Sequence, residues 1–185
     1  MGKGQAERLM PLIAEVMAAG GAALSDLDAI GVGTGPGNFT GIRISVSAAR
    51  GLALALDVPA VGVTSLEALA LGAPRPLLTA VDARREQLYL QRFAEGNERG
   101  PAMVSLDALD GWEMPGLTVA GDRAEELAAR LGATTFDAAP SPAPAIAHIA
   151  AIRFRDPALP RPAPLYLRAA DAAPARDAGL VMLPR

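Results

Sequence analysis

Residues 33–43 read GTGPGNFTGIR and decide the fold. They join a short apolar run, residues 29–33, to a longer one, residues 42–56. Their lengths predict a buried strand before the glycines and a helix after them. Residues 58–63 form a second apolar run of strand length. Because strand, helix and strand follow one another, we predict a right-handed parallel crossover.

The glycines of this loop allow two interpretations. Between a strand and a helix start they let a backbone approach an anion, or they form a tight turn with a close helix contact. No Lys-Ser or Lys-Thr follows them, and Asn38 stands where a dinucleotide loop has its third glycine, so neither nucleotide motif fits. The glycines are expected to act through the backbone, at positive φ, and the threonine as N-cap. These candidate residues are Gly35, Gly37, Thr40 and Gly41.

Periodicity predicts the remaining elements. Residues 5–19 are predicted as a helix ended by two glycines, and residues 72–76 as a hinge between two lobes. The turn after residue 82 predicts a hairpin. The other predicted elements are a helix at 65–71, hairpin strands at 77–82 and 87–93, a strand at 117–120, helices at 123–131 and 142–154 with Ser141 as N-cap, and an extended tail over 156–185.

Composition excludes several classes of protein. Among 185 residues 51% are hydrophobic, and none is cysteine, so thiolate metal sites and a cysteine nucleophile are excluded. The net charge of -3 offers no basic field for nucleic acid, so any nucleic-acid contact is expected only indirectly, through another protein. No export signal and no membrane-spanning stretch is expected. The predicted location is the cytoplasm, with no membrane contact.

Four segments in order resemble the TsaB (YeaZ) family, a paralogue of TsaD in the glycoprotease-like (peptidase M22) superfamily. The central one joins GTGPGNFTGIR to GLALAL at residues 51–56 and VPAVGVTSLEAL at residues 58–69. The others are AERLMPLI at 6–13, VDAR at 81–84 with Tyr89, and PLYLR at 164–168.

The resemblance implies an α/β fold of the actin, Hsp70 and sugar-kinase type, two lobes built on mixed sheets. We assign residues 1–75 to the first lobe and residues 76–185 to the second lobe with a Pro/Ala-rich tail. Family members begin with three strands before the first helix, about 30 residues that this sequence lacks. The first lobe is therefore expected to be incomplete, with an exposed sheet edge.

The positions of TsaD's two metal-binding histidines fall on Ser65 and Leu69. Serine is a weak ligand and leucine none, so we predict no metal, no bound cofactor and no catalytic residue. The single histidine, His148, is interpreted as a packing or surface residue. In the hairpin turn, Arg84 or Arg85 either binds a phosphate or is part of a solvated turn, and the glycine-poor turn predicts weak ATP binding or none. Asp82 is either a relic of metal-nucleotide binding or a turn-forming residue.

The resemblance further implies an accessory subunit that docks on TsaD, works with the ATPase TsaE and pairs with itself through its first two helices. The role would be to support transfer of threonylcarbamoyl to the adenosine beside the tRNA anticodon. The alternative is a stand-alone M22-like hydrolase or nucleotide-dependent enzyme. Small or apolar residues at helical spacing either form this partner surface or pack within the first lobe: Met10, Ile13, Met17, Ser45 and Ala49.

Overall fold

A computed structural model describes residues 4–139 and 141–167. The predicted tail beyond residue 167 lies outside these residues. Within these residues there are five α-helices and seven strands, and the strands form two sheets. The helices are α1 Gln5–Ala19, α2 Phe39–Leu56, α3 Ser65–Leu69, α4 Ala124–Leu131 and α5 Pro142–Arg153. The strands are β1 Ile30–Gly33, β2 Ala60–Val63, β3 Leu77–Arg84, β4 Gln87–Phe93, β5 Arg99–Ser105, β6 Thr118–Gly121 and β7 Thr134–Phe136.

The first sheet has two parallel strands, β1 and β2, in register from Ile30 with Ala60. One face is covered by α2, whose Val46 packs against Val32 of β1. The other face is covered by α5, since a side chain at Gly31 would meet Ala150. This arrangement confirms the predicted parallel crossover, and it places each strand between two helices.

The second sheet has five strands in the order β5-β4-β3-β6-β7. The hairpin of β3 and β4 is antiparallel as predicted, whereas β6 and β7 run parallel to β3. Its core gathers around the fully buried Trp112, and α4 covers it through Leu127. The mixed α/β architecture agrees with the predicted fold class.

After β7 the chain crosses back to the first sheet. Helix α5 packs on β2 through Ile149, and its Arg153 forms an ion pair with Glu67 of α3 at 2.8 Å. The residues after the predicted hinge at 72–76 therefore form the second sheet and also pack against the first. The division into lobes at residues 75 and 76 stays a prediction.

Helix α2 corrects one expectation. It has 18 residues with a mean hydropathy of 1.2, which by length and composition alone suffices to span a membrane, whereas no such stretch was expected. It reaches this length because it begins at Phe39 rather than at residue 42. One apolar helix is weak evidence for a membrane span, since helices that pack in a core pass the same test. Its residues Val46, Ala49 and Ala53 are buried, and the first two pack with Val32 of β1.

Candidate functional site

The glycine loop lies between the C-terminal ends of β1 and β2 and the start of α2. Asn38, not Thr40, is the N-cap of α2, which corrects the predicted cap. Its side-chain oxygen accepts hydrogen bonds from the backbone N–H groups of Thr40 and Gly41 at 3.2 and 3.3 Å. Since its own asparagine already occupies two of the amides at this helix start, fewer donors remain for an external anion.

The loop glycines differ in how tightly they are constrained. Gly35 has φ +90° and is buried, and its carbonyl accepts the N–H of Ser65 at 2.8 Å. A Cβ there would lie 2.6 Å from the Cδ1 of Ile42. Gly37 has φ +158°, and a Cβ there would make only an ordinary contact. Gly41 lies in the first turn of α2, outside the positive-φ glycines, so the expected positive φ is wrong for that residue.

Replacing Gly35 with alanine is expected to lower stability by about 1 kcal/mol or more, because the side chain meets both a positive φ and Ile42. The matched control is Gly51→Ala, in the interior of α2, where nothing lies within 4 Å of the added Cβ. That change should stabilise the protein by about 0.5–1 kcal/mol. Urea unfolding measures both variants, and equal effects at the two glycines would refute the constraint.

A cleft opens where α3 and α5 meet the ends of β3 and β6. It encloses a cavity of about 190 Å³. Ser65 and Leu69 both line it; the resemblance to TsaD predicts that they occupy the positions of its metal ligands. A hydroxyl and a hydrocarbon do not fit a metal. Within residues 4–139 and 141–167, no cluster of three His, Asp or Glu side chains could hold one. His148 lies exposed on α5.

The wall of the cleft is fixed by Glu67 on α3. Its carboxylate accepts the backbone N–H of Thr64 at 2.9 Å, while the Thr64 hydroxyl accepts the N–H of Glu67 at 3.0 Å. The same carboxylate pairs with Arg153 of α5. Burial raises the pKa of Glu67, but the hydrogen bonds from Thr64 and Arg153 outweigh it and hold the pKa below its ordinary value of 4.5.

This depressed pKa predicts a pH-dependent contribution to stability. Above the ordinary pKa of a glutamate, the charged Glu67 stabilises the fold, and the contribution is lost as the pH falls through its lower folded value. We expect Glu67→Gln to cost about 1 kcal/mol at pH 7. The deficit should vanish in strongly acidic solution, as measured by denaturant unfolding at a series of pH values. A deficit that does not depend on pH would show that the charge is not the cause.

The hairpin turn between β3 and β4 is exposed. Asp82 accepts the backbone N–H of Arg84 at 3.0 Å, which is the geometry of a turn-forming aspartate. Arg84, Arg85 and Glu86 all have positive φ, between +51° and +63°. Glu86 is paired with Arg123 at 3.0 Å. Within the described chain this geometry accounts for Asp82 through the turn, and it leaves the phosphate contact of Arg84 a prediction.

The predicted partner residues of α1 lie on a largely uncovered helix. Met10 is 46% exposed, Ile13 and Met17 are half-buried, and no residue described in α1 is fully buried. The alternative that these side chains pack within the first lobe therefore finds little support on this helix. The helix bounds, Gln5–Ala19, are those predicted from the sequence.

The predicted partner residues of α2 face differently. Ala49 is 5% exposed and packs with Val32 and Val46, so its side chain lies in the chain's own core. Ser45 is half-buried, and its hydroxyl donates to the carbonyl of Ile42 at 3.0 Å. Ala49 thus fits the packing alternative. The partner surface itself stays a prediction.

Sequence reasoning missed a cluster at the start of α2. The Nε of Arg43 donates to the hydroxyl of Tyr166 at 2.7 Å, and the guanidinium lies 4.0 Å from the ring centre of Phe39. The two rings are 5.3 Å apart. Since 123 positions separate Arg43 from Tyr166, no local pattern could have joined them. The available signal was an aromatic residue, Phe39, in the glycine loop three positions before the predicted start of the helix.

Comparison with known proteins places this geometry in a family. The sequence model of TsaD, described as tRNA N6-adenosine threonylcarbamoyltransferase, matches residues 2–156. An uncharacterized protein of Mycobacterium tuberculosis is 37% identical over 174 residues, which are 93% of this chain and 79% of that protein. The tRNA threonylcarbamoyladenosine biosynthesis protein TsaB of Escherichia coli is 39% identical over 92 residues, 47% of this chain and 40% of that protein.

Solved structures agree. YeaZ from Pseudomonas aeruginosa superposes with a TM-score of 0.62 at 28% identity, covering 88% of this chain and 84% of that one. A second Pseudomonas aeruginosa structure, described as similar to peptidase YEAZ, gives 0.63 at 26% identity with 88% and 83% coverage. The two sheets therefore have the actin-like fold of these relatives. The chain belongs to the TsaD-like family, as a member of its TsaB (YeaZ) branch.

Proposed function

We propose that this protein is a non-catalytic subunit of the machinery that makes threonylcarbamoyladenosine in tRNA, that it works in the cytoplasm and that it docks on a TsaD-type catalytic subunit. The names of its TsaB relatives support the role in tRNA modification. A TsaE-type ATPase is the second proposed partner, and tRNA is reached through the catalytic subunit.

The proposal of a non-catalytic role rests mainly on the side chains that line the cleft. The positions predicted to match the paralogue's metal ligands carry Ser65 and Leu69, and the other polar side chains that line the cavity, among the described residues, are Asp122 and Ser141. Among the residues described in this cavity there is no histidine, lysine or cysteine, so neither serine has the histidine or lysine base that commonly activates a nucleophile. The residues described in the cleft thus lack the pairs that hydrolysis requires.

The uncovered apolar stripe on α1 supports a docking role. A helix of 15 residues is marginal in water by itself, and its stability in a protein comes from packing its apolar face. Val16 is 61% exposed and Met10 46% exposed, so much of that face is free in this chain. Methionine is flexible and suits a surface that accepts more than one partner, such as a second copy and a TsaD-type subunit.

Depletion of the protein in its own cells tests the proposal. Threonylcarbamoyladenosine in tRNA, measured by mass spectrometry, is expected to fall and to return when the gene is supplied again. The full chain should also co-purify with the TsaD-type subunit of the same organism. Unchanged modification after depletion would overturn the proposal, as would hydrolase activity of the purified chain supplied with metal and ATP.

A further inference from the structure

An extended segment after α5 crosses the first sheet, and its residues 160–166 are here called the proline strap. It follows a tight turn in which the Asp156 side chain accepts the N–H of Ala158 at 2.9 Å. Prolines occupy every second position at its start, at 160, 162 and 164. Each proline restricts φ and removes a backbone N–H. The strap is therefore stiff, and it has few donors for hydrogen bonds to the sheet.

The strap lies near the carboxyl ends of β1 and β2 and makes few contacts there. Pro162 is buried against Gly62 of β2, where an added Cβ would lie 3.4 Å from the proline Cβ. The N–H of Leu165 donates to the carbonyl of Thr34, the residue after β1, at 2.9 Å. Among the described residues this is the one backbone hydrogen bond between the strap and the rest of the chain.

Tyr166 joins the other end of the strap to α2. Its hydroxyl accepts a hydrogen bond from the Nε of Arg43 at 2.7 Å, and its ring centre lies 5.3 Å from that of Phe39. The same guanidinium lies 4.0 Å from the Phe39 ring centre. These three residues are here called the Tyr166 cluster. Because Tyr166 is 49% exposed, the cluster can separate without opening a buried core.

Thr34 and Gly35 connect the strap to the cleft. The carbonyl of Thr34 accepts from Leu165 of the strap, while its N–H donates to the carbonyl of Val63 at 2.9 Å. The carbonyl of Gly35 accepts the N–H of Ser65 at 2.8 Å, and Ser65 lines the cleft at the start of α3. Neighbouring backbone groups therefore support the strap on one side and the cleft wall on the other.

We infer that the proline strap opens and closes as one unit on the first sheet, and that in its closed position it steadies the cleft wall at Ser65. Opening breaks one backbone hydrogen bond, the Tyr166 cluster and the contact of Pro162, so it needs less free energy than global unfolding. Closing orders a segment whose prolines already restrict it, which lowers the entropy lost. The strap is thus a two-position element that links α2 to the cleft.

Amide hydrogen exchange of the full chain, followed by NMR at single residues, tests this inference. The N–H of Leu165 reports the strap, and the N–H of Thr34 reports the sheet beside it. Because the strap opens locally, the protection of Leu165 should be at least about 10-fold lower than that of Thr34. Tyr166→Ala should lower it about 10-fold further, since a hydrogen bond to a charged group and a ring contact are lost. The same variant should leave Thr34 unchanged and lower the protection of Ser65 by a smaller factor.

Two further variants separate the causes. Arg161→Gln is the matched control, because Arg161 is exposed on the same strap but lies outside the Tyr166 cluster, and it should leave the three amides unchanged. Tyr166→Phe keeps the ring and removes the hydroxyl, so it should give part of the Tyr166→Ala effect.

The outcomes that overturn the inference are distinct. Equal protection of Leu165 and Thr34 in the native chain, or an equal loss at both in Tyr166→Ala, would make the strap part of the cooperative fold. A Leu165 amide that Tyr166→Ala leaves unchanged would exclude the Tyr166 cluster as its fastening. Unchanged protection of Ser65 would remove the link to the cleft. None of these results depends on the proposed function, because the chain is measured by itself.

Discussion

Gly121→Ala is expected to destabilise the protein by about 2–4 kcal/mol, the largest loss among the glycine-to-alanine changes at described positions. Gly121 ends β6 at φ +105°, directly opposite Ala80 of β3. An added Cβ would run into the backbone carbonyl oxygen of Ala80 and would come within 2.9 Å of Leu69. A flexible side chain could move aside, but this carbonyl cannot, because it accepts the N–H of Asp122 at 2.9 Å.

The matched control is Gly116→Ala. Gly116 also has a positive φ, +72°, but nothing lies within 4 Å of the Cβ that the change would add. Its cost is therefore the backbone strain alone, about 1 kcal/mol. Thermal unfolding should separate the two variants by roughly 2–12 °C, since their costs differ by about 1–3 kcal/mol and each kcal/mol shifts the melting temperature by about 2–4 °C in a chain of this size. Equal melting temperatures would contradict the close approach of β6 to β3 at this point.

The elements that sequence predicted well are those set by neighbouring residues. Helix α1 has its predicted bounds because the apolar repeat begins and ends there and two glycines follow it. The β3–β4 hairpin followed from two runs of strand length on either side of a tight charged turn. The missed strands, β5 and β7, are edge strands. Half-exposed residues and Pro101 hide the pattern of β5, and β7 has only three residues.

What sequence could not supply depends on distant parts of the chain. The start of α2 depends on the conformation of the loop before it. In that loop Asn38, not Thr40, reaches the free backbone N–H groups at the helix start. From the sequence, Ala49 could either face a partner or pack within the chain. Only its contact with Val32 in the folded chain shows that Ala49 faces inward. The sequence placed Arg43 in a motif, but its hydrogen bond to Tyr166, which lies beyond α5, forms only in the folded chain.

Met10→Glu is expected to abolish both self-association and binding to the TsaD-type subunit, while the monomer stays folded. Met10 is 46% exposed in this chain, so a carboxylate there remains solvated as long as the protein is alone. In a complex the same carboxylate would be buried without a partner, which costs several kcal/mol. At about 1.4 kcal/mol for each tenfold change in affinity, the loss is on the order of 100-fold or more.

The control for this change is Ala18→Glu on the same helix. Ala18 is exposed and lies about 80° around the helix from Met10, away from Ile13 and Met17. The two variants add the same charge to the same helix, so only the position distinguishes them. Circular dichroism reports folding, and sedimentation with and without the catalytic subunit reports association. Unfolding of Met10→Glu would assign α1 to the chain's own core, and unchanged association would exclude it as the interface. Loss of association confined to Met10→Glu would instead show that the uncovered stripe of α1 is where this subunit binds.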